Sequence, residues 1–371
     1  MPTGTPRLLL CTDEASGDRL AAAVLDRLAP RGVEVEARGI AGPVLRERGV
    51  DAVVAAQEVT GVGIVEALGA LRRAPGALRR IAATLDAWRP DLVWTVDNPG
   101  LNLRIGRMGR VRGFPVVHLV SPQVWAWRPG RVTEVARAAD LVLCLLPFEP
   151  AWYLGTRVRA EFVGHRAAWP LGAPPPDGGD APVVVLAPGS RPSEVHALAP
   201  PFAAAAAHLR GRVPGVRFRV AVAPGLDAAR LADLPGERRE GLRAALEGAH
   251  AALIATGTAT VKAAAAAVPF VAAYRVHPAT WAFGRTVARV RHLALPNVLA
   301  GRALVPEHLQ HLDPAAMAED LHRLLDPSGR ATARSLRALS AGLDGEHAVE
   351  RIAARIEGRL QRGGSQQVTR P

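Results

Sequence analysis

At 371 residues the chain exceeds one ordinary hydrophobic core and suits two domains. Its hydrophobic share of 49% excludes extensive disorder, and the longest apolar stretch, around residues 251–276, is broken by Gly257, Lys262 and Pro269, short of a transmembrane span. The net charge of +12 fits nucleic acid, an anionic membrane or a phosphorylated substrate, but no nucleic-acid module accompanies it, so nucleic acid is not an expected partner. Lys262 is the only lysine, and an Arg-, Ala- and Pro-rich composition of this kind follows a GC-rich coding sequence, so arginine signals less than usual. Cys11 and Cys144 sit in apolar runs and read as buried hydrophobes of a reducing compartment. The apolar run before Asp13 is too short for a signal peptide, and a cytoplasmic protein is expected.

Residues 8–11 read as a strand, followed by Glu14-Ala15-Ser16-Gly17-Asp18 and an amphipathic helix through Leu20, Val24 and Leu28. Free N–H groups at that helix start suit a phosphate or polar ligand, and Ser16 reads equally as an N-cap. The apolar stretch from Val59 to Leu68 precedes Arg72, Arg73, Arg79 and Arg80. Apolar side chains beside arginines suit an anionic lipid surface; a helix packed on its own sheet is the alternative. Residues 92–96 form a second apolar strand, with Asp97-Asn98-Pro99-Gly100 at its end. A carboxylate there is a candidate general base, or a turn-forming Asp.

Residues 116–120 read as a third strand, ended by Ser121-Pro122. The loop beyond carries Trp125 and Trp127 with Arg128 and Arg131, although aromatic residues make up only 4% of the chain. Open α/β sheets bind ligands beyond the carboxyl ends of their strands, so this loop is expected to handle something bulky and anionic. Residues 141–146 form the next strand. A Pro/Gly-rich segment at 169–182 reads as a linker.

A second series of strands is expected at 183–186, 216–222 and 251–254. After the first comes Pro188-Gly189-Ser190-Arg191-Pro192-Ser193-Glu194, where Gly189 admits a ligand to the backbone and Arg191 offers a fork for phosphate oxygens. After the third, Thr256-Gly257-Thr258-Ala259-Thr260 opens a helix and suits a diphosphate, without the spacing of a Walker loop. Leu295-Pro296-Asn297-Val298-Leu299-Ala300-Gly301-Arg302 follows, with Glu307 and Gln310 beyond. Residues 346–361 read as a final amphipathic helix that can pack back on the first domain, and 362–371 as a flexible tail. The expected architecture is α/β: two Rossmann-like, doubly wound domains, 1–168 and 183–345, facing a cleft.

These motifs resemble lipid-A-disaccharide synthase, a glycosyltransferase family with the GT-B fold. The resemblance rests on Glu14-x-Ser16-Gly17-Asp18, Asp97-x-Pro99, Ser121-Pro122-x-Val124-Trp125-Ala126-Trp127-Arg128 and Leu146-Pro147-Phe148-Glu149. It continues through Gly164-His165, Pro188-Gly189-Ser190-Arg191-x-x-Glu194, Gly257-Thr258-Ala259-Thr260, Tyr274-Arg275 and Pro296-Asn297-x-Leu299-Ala300-Gly301-Arg302. The Trp-Ala-Trp-Arg and Asn-x-Leu-Ala-Gly-Arg runs are the most specific, and the motifs keep family order from about residue 8 to residue 310.

The resemblance implies transfer of 2,3-diacylglucosamine from a UDP donor to 2,3-diacylglucosamine 1-phosphate, giving a β-1,6 disaccharide phosphate and UDP. Asp97 is the implied base. Glu14, Ser16, Gly17, Ser121, Trp125, Trp127, Arg128, Gly189, Ser190, Arg191, Glu194, Gly257, Thr258, Ala259, Thr260, Asn297, Arg302 and Gln310 are the implied substrate contacts. Val62, Ile64, Val65 and Leu68 are the implied membrane contacts, which would place the protein peripherally on the inner face of the cytoplasmic membrane. No Asp-x-Asp pair is present, so helix and arginine charge are expected in place of a metal, and no cofactor is expected. A homodimer is compatible with this reading.

The chain departs from the family pattern at several points. Lys262 stands where a ribose-binding glutamate is usual, and an ammonium has donors but no acceptor. Thr12-Asp13 replaces a usual Ala-Gly, Gly100-Leu101 replaces Asp-Phe, and Ala303 follows Gly301-Arg302 where a glutamate is usual. A diverged GT-B enzyme with another donor or acceptor, or a weakly active paralogue that binds lipid, stays open at this point.

Overall fold

A computed structural model describes residues 4–60, 64–169 and 181–367, with the side chains of 64–72 and 363–367 left aside. The chain divides into two compact units, Met1–Arg166 with His347–Pro371, and Ala167–Glu346. Each is built on one parallel sheet.

The first sheet contains β1 (Arg7–Cys11), β2 (Glu36–Ala41), β3 (Asp51–Ala55), β4 (Leu92–Val96), β5 (Val116–Leu119), β6 (Leu141–Cys144) and β7 (Arg159–Phe162), in the order β3-β2-β1-β4-β5-β6-β7. All its pairings are parallel. Parallel strands need covering on both faces, which is why β4 is buried along its whole length. Alternation splits β1 between two cores. Leu8 and Leu10 join Leu20, Val24 and Leu28 of the helix Ala15–Leu28 on one face, and Leu9 and Cys11 join Ile81 and Leu85 of the helix Ile64–Trp88 on the other.

The first core is completed from the far end of the chain. Val349, Ile352, Ala353, Ile356 and Leu360 of the helix Ala348–Gln367 belong to it. That helix runs on to Gln367, into the segment expected as a tail.

The second sheet contains β8 (Val183–Ala187), β9 (Arg217–Val222), β10 (Glu237–Glu240), β11 (Ala251–Ala255), β12 (Phe270–Tyr274) and β13 (Glu307–Leu309), in the order β10-β9-β8-β11-β12-β13. It is parallel throughout. β8 and β11 are buried along their whole length, between Phe202 and its neighbours on one face and Leu246, Val268 and Phe270 on the other.

The strand order reverses between β1 and β4 in the first sheet and between β8 and β11 in the second. Loops beyond the carboxyl ends of such strands diverge and leave a crevice. Those loops and the first turns of the helices after them carry Glu14–Gly17 and Asp97 in the first unit, and Gly189–Arg191 and Gly257–Ala259 in the second. Of the expected membrane contacts, Val62 lies outside the described residues. Ile64, Val65 and Leu68 fall on the helix Ile64–Trp88, with their side chains outside the description. The expected linker is likewise outside it from 170 to 180.

Candidate active site

Asp97 follows β4 directly, at φ 56°, and Asn98 continues in the left-handed region at φ 36°. Two successive left-handed residues are unusual for side chains with a Cβ and require hydrogen bonds to hold them. The backbone N–H of Asp97 donates to Leu119 O at 2.9 Å. Asn102 Nδ2 donates to the carbonyls of Val96 and Asp97, both at 2.9 Å. The Asn98 N–H donates to Asp97 Oδ1 at 2.8 Å, fixing one carboxylate oxygen of a half-buried side chain.

The neighbouring loop follows β1. Glu14 is the N-cap residue of the helix Ala15–Leu28, so Ser16 lies inside its first turn, exposed. Gly17 is buried where a Cβ would come within 2.4 Å of Thr12 Oγ1. Asp18 turns away and accepts from the N–H groups of Gly42 and Val44, both at 2.9 Å.

The tryptophan loop divides its residues between two tasks. Trp125 is 8% exposed; its Nε1 donates to Glu149 Oε1 at 3.2 Å and its ring meets Phe148 edge to face at 5.3 Å. Ser121 is buried, with its hydroxyl 2.8 Å from that of Tyr153. Both therefore brace the loop from beneath. Trp127 is 39% exposed, with the guanidinium carbons of Arg128 and Arg131 at 5.6 and 5.2 Å from its ring centre, within cation–π range. Arg128 and Arg131 also lie 4.0 and 3.5 Å from Glu134. The outward surface is thus the Trp127 indole with Arg128 beside it, while Arg131 supports the ring from a mostly buried position.

In the second unit Gly189 has φ 127° and closes over Glu194, which accepts from the N–H groups of Ser190 and Arg191 at 3.0 and 3.2 Å. A Cβ at Gly189 would stand 2.5 Å from the Glu194 carboxylate. Glu194 is therefore spent on the loop's own backbone, while Ser190 and Arg191 remain exposed. Gly257, at φ 146°, is the N-cap of the helix Thr258–Ala265. Thr258 is exposed and Ala259 half-buried, but Thr260 is buried and its hydroxyl donates to Gly257 O at 2.7 Å. Lys262 is exposed one turn along the same helix.

Two further expected contacts also serve the fold. Asn297 is completely buried; its Oδ1 accepts from Leu304 and Val305 N–H at 2.7 and 2.9 Å, and its Nδ2 donates to Val305 O at 2.8 Å. Gln310 pairs with both backbone groups of Val276, at 3.2 and 2.9 Å. Arg302 is exposed beyond the stapled turn. Among the described residues no group of three or more His, Cys, Asp or Glu is placed to hold a metal ion.

A model of the family described as lipid-A-disaccharide synthetase matches residues 8–339. The chain belongs to the lipid-A-disaccharide synthase family. The lipid-A-disaccharide synthase of Anaeromyxobacter dehalogenans (strain 2CP-1 / ATCC BAA-258) is 38% identical over 379 residues, covering 96% of this chain and 98% of that one. That of Alkalilimnicola ehrlichii (strain ATCC BAA-1101 / DSM 17681 / MLHE-1) is 37% identical over 378 residues, covering 94% and 98%. As a lipid-A-disaccharide synthase the protein is a glycosyltransferase of lipid A biosynthesis. Solved structures show the GT-B fold: the calicheamicin glycosyltransferase CalG4 superposes with a TM-score of 0.64 at 20% identity, covering 96% of this chain and 99% of its own. Acinetobacter baumannii MurG gives 0.61 at 14%, covering 96% and 100%.

Within this lipid-A-disaccharide synthase the fold also places residues that the sequence reading left out of the site. Asp13 is 5% exposed beside Asn98, and burial pushes its carboxyl up to about 6, with Glu14 and Asp97 adding to the shift. Glu149 is 3% exposed beneath Trp125, and burial pushes it up to about 7 against the hydrogen bonds from Leu146 and Trp125. Glu149 belongs to the Leu146-Pro147-Phe148-Glu149 run and Asp13 to the departing Thr12-Asp13 pair, but the burial of each depends on distant segments that no local pattern discloses.

Proposed function

We propose that this synthase transfers 2,3-diacylglucosamine from its UDP donor to the 6-hydroxyl of 2,3-diacylglucosamine 1-phosphate, with inversion at the anomeric carbon. Asp97 takes the hydroxyl proton as the new C–O bond forms and the bond to the diphosphate breaks, releasing UDP. Arg191 and the free N–H groups at the start of the helix Thr258–Ala265 take up the charge on the departing diphosphate. Trp127 and Arg128 contact the bulky anionic substrate. The observation that carries this reading is Asp97 itself, a half-buried carboxylate held in a left-handed turn at the reversal point of its sheet.

The decisive experiment is UDP release from the defined donor and acceptor by wild type and Asp97→Asn. The variant keeps the shape and loses the basicity, so turnover is expected to fall about a hundredfold or more, with UDP binding unchanged. Near-normal turnover would remove Asp97 from the role. The lipid-bearing substrates place the enzyme on an anionic membrane surface, with the segment Val62 to Leu68 in contact with lipid. No helix among the described residues is long and apolar enough to cross a membrane.

A further inference from the structure

Asp13 follows β1 and is 95% removed from solvent, on its 5% exposure. Its Oδ2 accepts from Asn98 Nδ2 at 2.5 Å, while its Oδ1 is buried with no hydrogen-bond partner among the described residues. Thr60 Oγ1 donates to its backbone carbonyl at 2.5 Å, so the residue is held from a second side. A carboxylate kept in this state for packing alone would be a poor choice, because an unpaired buried oxygen is costly and a neutral side chain of the same size would fit. Such costs gather at functional sites.

The geometry connects Asp13 to Asp97 through one residue. Asn98 offers its side-chain amide to Asp13 and its backbone N–H to Asp97 Oδ1. Its Oδ1 meanwhile lies 3.4 Å from the N–H of Leu101 at the start of the helix Pro99–Val111. Its left-handed φ of 36° is one that an Asn tolerates, and these contacts anchor it there. We propose that Asp13 is a positioning residue for the transfer: it clamps the Asn98 amide, and the clamped Asn98 fixes the orientation of the Asp97 carboxylate. The proposal rests on Asp97 as the base. The titratable groups facing Asp13 are Glu14 on its own loop, Asp97 on the next, and the Cys11 thiol on β1. With two carboxylates this close, the charge of Asp97 adds to the upward shift that burial gives Asp13.

The test is a double-mutant cycle on kcat with Asp13→Ala and Asn98→Ala, beside Asp97→Asn. Each single alanine variant should lower kcat about tenfold, with KM for the UDP donor within twofold. The double variant should lose no more than either single one, because both break the same link. Asp13→Asn keeps an acceptor for Asn98 and the size of the side chain, which guards against misfolding. It should retain most of the rate and move the acid limb of the kcat profile to lower pH. Multiplicative losses near a hundredfold, or an acid limb that does not move, overturn the proposal while leaving Asp97 as the base if Asp97→Asn is inactive. An active Asp97→Asn retires both.

Discussion

Glu149 shows how a single buried group can set a pH dependence. Its carboxyl rises from an ordinary 4.5 to about 7 through burial, so the fold favours the neutral acid. The contribution to stability is full below about pH 4.5 and is lost as pH rises through 7, amounting to on the order of 3 kcal/mol over that window. Glu149→Gln removes the titration and keeps an acceptor for Trp125. Its stability relative to wild type should therefore be more favourable at pH 8 than at pH 5, measured by urea unfolding followed through tryptophan fluorescence. An identical difference at both pH values would mean that Glu149 does not titrate in this window. The same residue marks the limit of what the sequence discloses about the site. Asp97 was legible because a strand end and an acidic residue coincide in the chain. Ser121, Trp125, Asn297 and Gln310 stand in the right loops, but a loop's polar side chain can face a ligand or its own backbone, and only packing decides between them. Asn297 spends its amide on Leu304 and Val305.

At the scale of elements, the C-terminal helix closes the first core from a distance. Ile356 is completely buried there, and Ile356→Ala should destabilise the first unit by about 2–5 kcal/mol, read as a shift in its denaturation midpoint. A change under about 0.5 kcal/mol, the level of a surface substitution, would mean that the helix is not packed as described. Seven of the strands, β1, β4, β5, β6, β8, β9 and β11, coincide with apolar runs visible in the sequence. Three of the others, β2, β7 and β10, carry no such run, for physical reasons. β10 reads Glu-Arg-Arg-Glu and is exposed along its whole length, as an edge strand can be. β7, Arg-Ala-Glu-Phe, is the edge of its own sheet. β2 contains Gly39, which breaks a strand signal but lets the backbone approach β1 where a Cβ would lie 2.1 Å from Leu10 O.

At the scale of the whole molecule, the net charge of +12 makes association with anionic lipid a measurable consequence of the proposed function. Wild type should sediment with phosphatidylglycerol vesicles and be released as salt shortens the Debye length. Substituting Val62, Ile64, Val65 and Leu68 with Ser should weaken that association while circular dichroism stays unchanged. Loss of the folded spectrum instead would assign these side chains to the core. Finally, the second unit is inserted in sequence within the first, between Arg166 and His347. On a ribosome adding roughly 5–20 residues per second, residues 349–360 follow residue 166 by about 10–40 s. For that interval the helix Ala15–Leu28 and the sheet beneath it lack Val349, Ile352, Ala353, Ile356 and Leu360, which complete their core. Nascent chains stalled before residue 349 should therefore expose a sticky surface to chaperones, because the first unit completes its core only after the residues of the second have been made.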